Sequence, residues 1–244
     1  MVFGFQKMSL WSCIRELPTP EVGENEGIRL WLVESRKSDA VADFAAFLSP
    51  DEQRRAIRFN LEIHRQRFTV TRSALRLILG KELACLPEEI QLIYSETGRP
   101  EIKRPATTLK FNVSHSGPIT LIALSDSAPV GIDVEYHNRG IDLLSVSRTV
   151  FCPQELRQLE KYTDLEQIKL FFQLWTAKEA VLKMLGMGFS ASLDGFCILD
   201  GLLGGKPIKA PATTLVKGEP EWIRVRQLTI GNSYYAALAT GVDF

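Results

Sequence analysis

The chain has 244 residues, 45% of them hydrophobic, which is enough for one substantial globular unit or two smaller ones with separate cores. Lysine plus arginine equals aspartate plus glutamate at 29 each, so no net charge attracts the chain to nucleic acid or to an anionic membrane. The composition argues against a disordered chain, and it requires any anion site to be local.

The cysteine pattern and the hydropathy predict a soluble, cytoplasmic protein that binds no membrane. The four cysteines are Cys13, Cys85, Cys152 and Cys197. They lie far apart without a CxxC pair, which argues against a zinc site or a disulfide framework. No stretch approaches the roughly 18 consecutive apolar residues that a membrane helix needs. Residues 1–10 lack the basic start and apolar block of a signal peptide, so we expect no export.

The first half of the chain predicts helices with an arginine-rich side. Ser49 suits an N-cap, Pro50 the first turn, and Asp51 the positive end of a helix that begins there. Between residues 54 and 76 the apolar residues follow a helical spacing, with arginines along the flank. These arginines are Arg54, Arg55, Arg58, Arg65, Arg67, Arg72 and Arg76. We interpret about half of them as a solvated basic face.

The remaining pattern predicts strands and helices in two lobes. The predicted strands cover residues 121–123, 130–136, 196–199, 222–230 and 234–239, and the predicted helices cover 153–161 and 164–185, the second ending at Gly186 and Gly188. Helix followed by strands occurs in each half, so we expect two α+β lobes that meet near Ala128, with residues 1–127 in one and 128–244 in the other.

The predicted strand over residues 130–136 has two carboxylates on one face. Strand periodicity places Gly131, Asp133 and Glu135 on the same side, with the α-carbons of the two acids about 6.5–7 Å apart. One hard cation can bridge such a pair. An edge strand with a solvated acidic face is an equal alternative on these residues alone. Gly131 favours the first interpretation, because it leaves space for a ligand to approach.

The predicted helix over residues 164–185 has Trp175, Glu179 and Lys183 on one face, four residues apart. An exposed Glu–Lys pair is the simpler interpretation. A broad apolar stripe beside that pair, however, places Glu179 at the rim of the core, where a carboxylate needs a partner. Three carboxylates without a nearby Cys or His pair favour Mg²⁺ over zinc or copper. Magnesium in turn suggests a substrate with phosphate groups.

A polar segment, Phe111-Asn112-Val113-Ser114-His115-Ser116-Gly117, precedes the acidic strand. A lone histidine is more often a structural hydrogen-bonding group than a catalyst. Hydroxyl, imidazole and backbone N–H groups at a strand end nevertheless suit an anion.

Four motifs, in this order and at these separations, resemble the Sfp-type 4′-phosphopantetheinyl transferases. They are GRP at 98–100, FNVSHSG at 111–117, GIDVE at 131–135 and WTAKEAVLK at 175–183. The resemblance covers about residues 49–199. It implies an α+β fold of two similar lobes related by a pseudo-twofold axis, with the active site in the cleft between them. It also implies a magnesium-dependent transfer of 4′-phosphopantetheine from coenzyme A to a serine of an apo acyl or peptidyl carrier protein.

The resemblance also implies roles for particular residues. The metal ligands it implies, for Mg²⁺ or alternatively Mn²⁺, are Asp133, Glu135 and Glu179. The residues it places at coenzyme A are Arg54, Arg67, Arg99, Ser114, His115, Lys178 and Lys183. His115 is expected near the 3′-phosphate, and Arg54 and Arg67 at the nucleotide end. The chain departs from the family pattern at Asp51, where relatives can have a basic residue, so one phosphate contact is missing or is replaced by Arg55 or Arg58.

The catalytic residues on this basis are Glu179, Lys183 and Asp133, with Glu179 as base and Lys183 beside the departing 3′,5′-ADP. From the resemblance alone, we expect a partly apolar carrier-binding surface at residues 151–161 and the loop before them. We also expect a monomer, because tandem lobes supply both sides of the cleft. Two alternatives are a magnesium-dependent phosphohydrolase that uses water as nucleophile, and a non-catalytic binder of coenzyme A or carrier proteins.

Overall fold

The computed structural model describes residues 11–18, 27–35, 41–126, 128–137, 142–187, 192–211 and 220–242. In these ranges the chain forms two lobes, each with one long helix packed on a four-stranded antiparallel sheet. The predicted α+β class and the tandem lobes are confirmed. The described part of the chain contains no helix that is long and apolar enough to cross a bilayer.

The first lobe contains the elements before residue 126. They are β1 (Ile14–Leu17), β2 (Arg29–Glu34), α1 (Val41–Ala45), α2 (Pro50–Ile57), α3 (Glu62–Glu82), β3 (Gln91–Tyr94), β4 (Pro100–Arg104), β5 (Lys110–Ser116) and β6 (Ile119–Ser125), with a 3₁₀ turn at Pro87–Glu89. The strand order of the main sheet is β1-β2-β6-β5, and β3 and β4 form a separate hairpin. Strand β5 is therefore an edge of its sheet.

The second lobe repeats this plan. Its elements are β7 (Val130–Tyr136), α4 (Leu143–Val150), α5 (Pro153–Leu159), α6 (Asp164–Met184), α7 (Leu199–Gly204), β8 (Ile208–Lys209), β9 (Trp222–Leu228) and β10 (Tyr234–Val242), with a 3₁₀ turn at Leu193–Gly195. The strand order is β7-β10-β9-β8. Strand β7 is thus an edge strand as well. Of the two predicted stops of α6, Gly186 follows the helix in the left-handed region, and Gly188 lies outside the described residues.

Three hydrophobic cores join these elements in four layers, α3, first sheet, second sheet and α6. Strand β2 shows how one strand serves two cores: Trp31 and Val33 pack toward α3, whereas Leu30 and Leu32 pack toward the second lobe. The middle core, between the two sheets, consists of Ile28, Leu30, Leu32, Ile119, Leu121, Ala123, Val130, Ile132, Val134, Ala236 and Leu238. The lobes therefore share one apolar interior, which fixes their relative position.

The arginine-rich region is two helices, not one. A short turn separates α2 from α3, so that Glu52 near the start of α2 meets Arg76 on α3. The two side chains are buried and form an ion pair, Nε to Oε2 at 2.6 Å. Arg76 also donates to the carbonyl oxygens of Pro87 and Ile90, which lead into β3. The turn between α2 and α3 thus lets Arg76 pair with the buried carboxylate of Glu52. The helical spacing alone did not predict this contact.

The predicted strand over residues 196–199 is wrong. The N–H of Ile198 donates to Oε1 of the buried Glu155 at 2.9 Å, and the carbonyl oxygen of Phe196 accepts from Lys178. The polar groups of this backbone are satisfied by side chains, so the segment needs no neighbouring strand. Helix α7 begins directly afterwards, at Leu199.

Gly131 leaves space for a helix, and not for the ligand that the sequence suggested. A Cβ at this position would lie 2.0 Å from the carbonyl oxygen of Ala180 and 2.5 Å from the backbone nitrogen of Met184. The missing side chain lets α6 pack directly against β7. Close contact of these two elements is what brings the polar residues of α6 to those of β7.

Replacing Gly131 by alanine is therefore expected to destabilise the protein. The added methyl group would push α6 away from β7, and overpacking of this kind typically costs about 1–3 kcal/mol of unfolding free energy, sometimes more. Urea unfolding of the Gly131→Ala variant measures this loss. The matched control is Gly204→Ala on α7, where an added Cβ meets no atom within 4 Å. Equal stability of the two variants would contradict the packing explanation.

Candidate active site

The two edge strands β5 and β7 lie side by side at the seam between the lobes and are joined through side chains. Three alternate residues of β5 accept hydrogen bonds from three alternate backbone N–H groups of β7. The pairs are Asn112 Oδ1 with Ile132 N (3.0 Å), Ser114 Oγ with Val134 N (3.3 Å) and Ser116 Oγ with Tyr136 N (3.0 Å). We call this row the seam ladder. It satisfies backbone donors at a sheet edge and holds the lobes in register.

Asp133 lies at the centre of the seam, only 3% exposed. Its Oδ1 accepts from Ser114 Oγ at 2.8 Å and from Lys183 Nζ at 2.5 Å. Lys183 Nζ also lies 2.9 Å from Ser114 Oγ. The other oxygen, Oδ2, is buried and has no hydrogen-bond partner among the described residues. Burying an acceptor in this way is costly, so Oδ2 is suited to a ligand that brings positive charge.

Two further carboxylates lie near Asp133. Glu135 follows on the same face of β7 and accepts from Ser116 Oγ at 2.9 Å, and Glu179 lies on α6 one turn before Lys183. Partial burial raises the pKa of both glutamates, and the negative charge of Asp133 raises both further. The three acids are therefore close enough to repel one another.

The oxygens of these three acids do not, however, meet at the spacing of metal ligands. Within the described ranges, a set of three acidic, cysteine or histidine ligand atoms mutually within 4.8 Å occurs only at Cys152, Glu155 and Cys197. Lys183 forms an ion pair with Asp133, the most buried of the three acids. Binding of one cation by all three, as the sequence predicts, requires their oxygens to come closer together.

Cys152, Glu155 and Cys197 lie close together and stabilise the fold, and their chemistry does not favour a metal ion. Both oxygens of Glu155 are already hydrogen-bonded, to the backbone N–H groups of Cys152 and Ile198 and to Lys178. Burial raises the pKa of the Cys197 thiol to about 11, so the thiol stays protonated near neutrality. Protonated thiols are poor metal ligands.

Lys178 lies inside the second lobe and not at the seam. It is completely buried, with Nζ 2.6 Å from Glu155 Oε2 and a further bond to the carbonyl oxygen of Phe196. This ion pair anchors α5 and the segment before α7 to α6. The predicted contact between Lys178 and coenzyme A conflicts with this burial.

Positive charges gather beside His115, which lies near the end of β5. Partial desolvation lowers the pKa of His115, and the positive charges of Arg67 and Lys183 lower it further. Nε of Arg67 is buried without a partner among the described residues. Arg67 and Lys183 thus form a cationic region next to the acids and beside His115, which suits an anionic ligand.

Arg54 lies on the exposed side of α2 and forms an ion pair with Asp51. Both line an open depression together with Arg55, Arg58 and Phe59. The unusual acid at position 51 therefore partly neutralises Arg54. Two further arginines remain beside it for a phosphate group.

Arg99 approaches the site from the β3–β4 hairpin. Its guanidinium group donates to the carbonyl oxygens of Lys183 and Met184, both at 3.0 Å. The sequence placed Arg99 at coenzyme A, whereas these two hydrogen bonds join it to the end of α6.

An apolar cavity of about 330 Å³ adjoins the acids on the side of the second lobe. Its lining residues are Ser116, Gly117, Glu135, Tyr136, Val146, Phe171, Phe172 and Trp175. The cavity has one carboxylate at its edge and aromatic rings along its wall, a composition that suits a mostly apolar ligand with a few polar groups.

The sequence missed the seam ladder, although a pattern for it existed. Asn112, Ser114 and Ser116 alternate along β5, so their side chains share one face. A row of short polar side chains on an edge strand is the expected means of bonding a second edge. Without the lobe arrangement, the sequence could not identify β7 as the partner.

The fold and the site define a two-lobed α+β protein whose acidic and basic side chains face each other across the seam. Two family models match in tandem: the N-terminal model of 4′-phosphopantetheinyl transferases over residues 35–127, and the 4′-phosphopantetheinyl transferase superfamily model over residues 129–238. The chain therefore belongs to the 4′-phosphopantetheinyl transferase superfamily, and the family resemblance found in the sequence is confirmed.

Individual relatives agree with this assignment. The 4′-phosphopantetheinyl transferase HetI of Nostoc sp. is 34% identical over 200 residues, which cover 81% of this chain and 84% of HetI. The slr0495 protein of Synechocystis sp. is 37% identical over 179 residues, 73% of this chain and 69% of the relative. The 4′-phosphopantetheinyl transferase Sfp of Bacillus subtilis is 30% identical over 155 residues, 64% of this chain and 67% of Sfp.

The buried pair of Lys178 and Glu155 gives a test of its structural role. The Lys178→Met variant leaves a carboxylate buried without its partner, which typically costs about 3–5 kcal/mol of unfolding free energy. Denaturant unfolding measures the loss, and adding Glu155→Gln should restore part of it. Lys169→Met, at an exposed position of the same helix, is the control. If Lys178→Met were as stable as that control, the pair would not be an anchor.

Proposed function

We propose that this protein transfers the 4′-phosphopantetheine group of coenzyme A to a serine hydroxyl of an apo acyl or peptidyl carrier protein, with release of 3′,5′-ADP. The main support is the group at Asp133, a buried carboxylate with one unpartnered oxygen, which bonds to Lys183 within its own lobe and to Ser114 across the lobe seam. In a chain of this superfamily, that group adjoins a cationic region and an apolar cavity.

Asp133, Glu135 and Glu179 are the residues that would hold a divalent cation. Their oxygen donors and combined negative charge fit Mg²⁺, and Mn²⁺ accepts the same ligands. When bound, such an ion would neutralise charge on the diphosphate of coenzyme A. The unpartnered Oδ2 of Asp133 is the observation in favour of this fit.

The transfer itself needs an attack on one phosphorus atom and the departure of one oxygen. The serine oxygen bonds to the phosphorus that bears pantetheine, and the bond from that phosphorus to the bridging oxygen of the diphosphate breaks. We assign the serine proton to Glu179, directly or through a water, because it is a partly buried carboxylate on α6, one turn before Lys183. Lys183 would stabilise or protonate the departing 3′,5′-ADP.

The other polar residues would position coenzyme A. His115 and Arg67 lie in the cationic region that suits the 3′-phosphate, and Ser114 lies between them and Asp133. Arg54, with Arg55 or Arg58 in place of the acid at position 51, would contact the nucleotide end.

The carrier protein would approach beside the apolar cavity. Within the predicted docking segment 151–161, Phe151 and Leu159 are each only 2% exposed, so these apolar residues belong to the core. Tyr136, 49% exposed, supplies apolar surface at the cavity. Leu144, 52% exposed, lies on α4, just before the predicted segment. We propose that a monomer performs the reaction, since one chain provides both sides of the seam. A cytoplasmic location is proposed from composition alone.

Transfer is distinguished from phosphate hydrolysis by intact mass. With coenzyme A, Mg²⁺ and a panel of apo carrier proteins from fatty-acid, polyketide and nonribosomal-peptide systems, we expect a carrier to gain one phosphopantetheine. Release of phosphopantetheine without any gain by a carrier would support the phosphohydrolase alternative. Binding of coenzyme A and carrier without turnover would support a non-catalytic binder.

The Glu179→Gln variant tests the proposed base. Loss of a general base typically lowers the rate by about 10²- to 10⁴-fold, and we expect a loss in this range in the mass assay. Glu166→Gln, at an exposed position of the same helix, should keep the wild-type rate. A Glu179→Gln protein with full activity would remove Glu179 from this role.

A further inference from the structure

A turn of the first lobe caps the helix that bears the site lysine in the second lobe. Arg99, at the end of the turn between β3 and β4, donates from Nη1 to the carbonyl oxygens of Lys183 and Met184, each at 3.0 Å. From the same turn, Thr97 Oγ1 donates to the carbonyl oxygen of Gly186 at 3.0 Å. Two hydrogen bonds thus join the first lobe to the last turn of α6, and a third joins it to Gly186 just beyond the helix.

These contacts are the ones that a helix end requires. The last four carbonyl groups of a helix lack an intrahelical partner and form the negative end of its dipole. A guanidinium group offers positive charge and several donors in a planar fork, so one arginine can bond two carbonyl groups at once. An ammonium group has a different geometry and is not an equivalent replacement.

The capping turn is itself held in shape. The backbone N–H of Arg99 donates to Ser95 Oγ at 3.1 Å, and Ser95 N donates to the carbonyl oxygen of Arg99 at 2.9 Å. Gly98 has φ at +81°, a conformation that favours glycine. The Gly-Arg-Pro motif therefore has a local explanation: glycine makes the turn and arginine reaches α6.

Lys183 is bonded across the seam at both ends. Its carbonyl oxygen accepts from Arg99, and its Nζ donates to Asp133 and to Ser114. We infer that Arg99 is a positioning residue, which fixes the end of α6 so that Lys183 lies against Asp133. This inference rests on the proposed function, because it assigns Arg99 a part in placing Lys183 for the transfer.

Steady-state kinetics separate positioning from direct contact with coenzyme A. A displacement of about 1 Å can lower a rate by about 10²-fold, so we expect Arg99→Gln and Arg99→Lys to lose about 10- to 100-fold in kcat. The KM for coenzyme A and the Kd for 3′,5′-ADP should change by less than about threefold, because the contacts that bind the substrate in its ground state are unaffected. Lys103→Gln, at an exposed position of β4, should match the wild type.

Hydrogen exchange gives a second readout that does not depend on turnover. The peptide spanning residues 181–187 should exchange faster in Arg99→Gln than in wild type, and the Lys103→Gln control should not differ from wild type. Thr97→Val removes one bond of the same turn and should show a smaller effect in both measurements. It also provides the test if the Arg99 variants fail to fold.

Two outcomes would overturn the inference. A tenfold or larger rise in KM and Kd with unchanged kcat would place Arg99 on coenzyme A, and unchanged kinetics with unchanged exchange would leave it without a role. Failure of the proposed function is recognised separately, since wild-type protein would then modify no carrier while the exchange comparison remains valid.

Discussion

The structure depends on the hydrogen bonds by which side chains of β5 bond the backbone of β7. Each lobe ends its sheet with an edge strand at the seam, and the N–H groups of such an edge need partners. Asn112, Ser114 and Ser116 supply them at every second residue. Because strand side chains alternate, a shift of one residue would turn the serines away from the seam. The ladder therefore fixes Ser114 beside Asp133 and Ser116 beside Glu135. The same bonds that join the lobes thus place two of the acids.

The remaining site residues come from α6, and two features determine where it lies. At its middle, Gly131 on β7 allows the backbone of the helix to approach without a side chain between them. At its end, the turn containing Arg99 bonds the last carbonyl groups. Lys183 consequently reaches Asp133. The site therefore needs both lobes, since β7 and α6 belong to the second lobe, whereas Ser114 and the capping turn belong to the first.

Local patterns predicted much of this arrangement. The alternation of Val-Gly-Ile-Asp-Val-Glu identified β7 and placed both acids on one face, and helical spacing placed Glu179 and Lys183 together. These local patterns could not show which distant residues each side chain contacts. Lys178 and Lys183 lie in one motif, and only the fold shows that the first is buried against Glu155 while the second reaches the seam. The prediction of a strand at residues 196–199 was wrong for the same reason. Side chains distant in sequence form hydrogen bonds with this backbone segment, and no strand among the described residues pairs with it. The distances between the carboxylates of Asp133, Glu135 and Glu179 likewise depend on the tertiary structure.

The proposed mechanism requires the acids at the seam to bind one divalent cation together with coenzyme A, and Mn²⁺ titration followed by electron paramagnetic resonance can detect such an ion. With coenzyme A present, we expect one Mn²⁺ per chain, bound more tightly than in its absence. Because ligand charge tunes the affinity of such sites over orders of magnitude, Asp133→Asn should weaken binding about tenfold or more, with the fold checked by circular dichroism. Equal Mn²⁺ affinity in the wild type and in this variant, or the same affinity with and without coenzyme A, would contradict it.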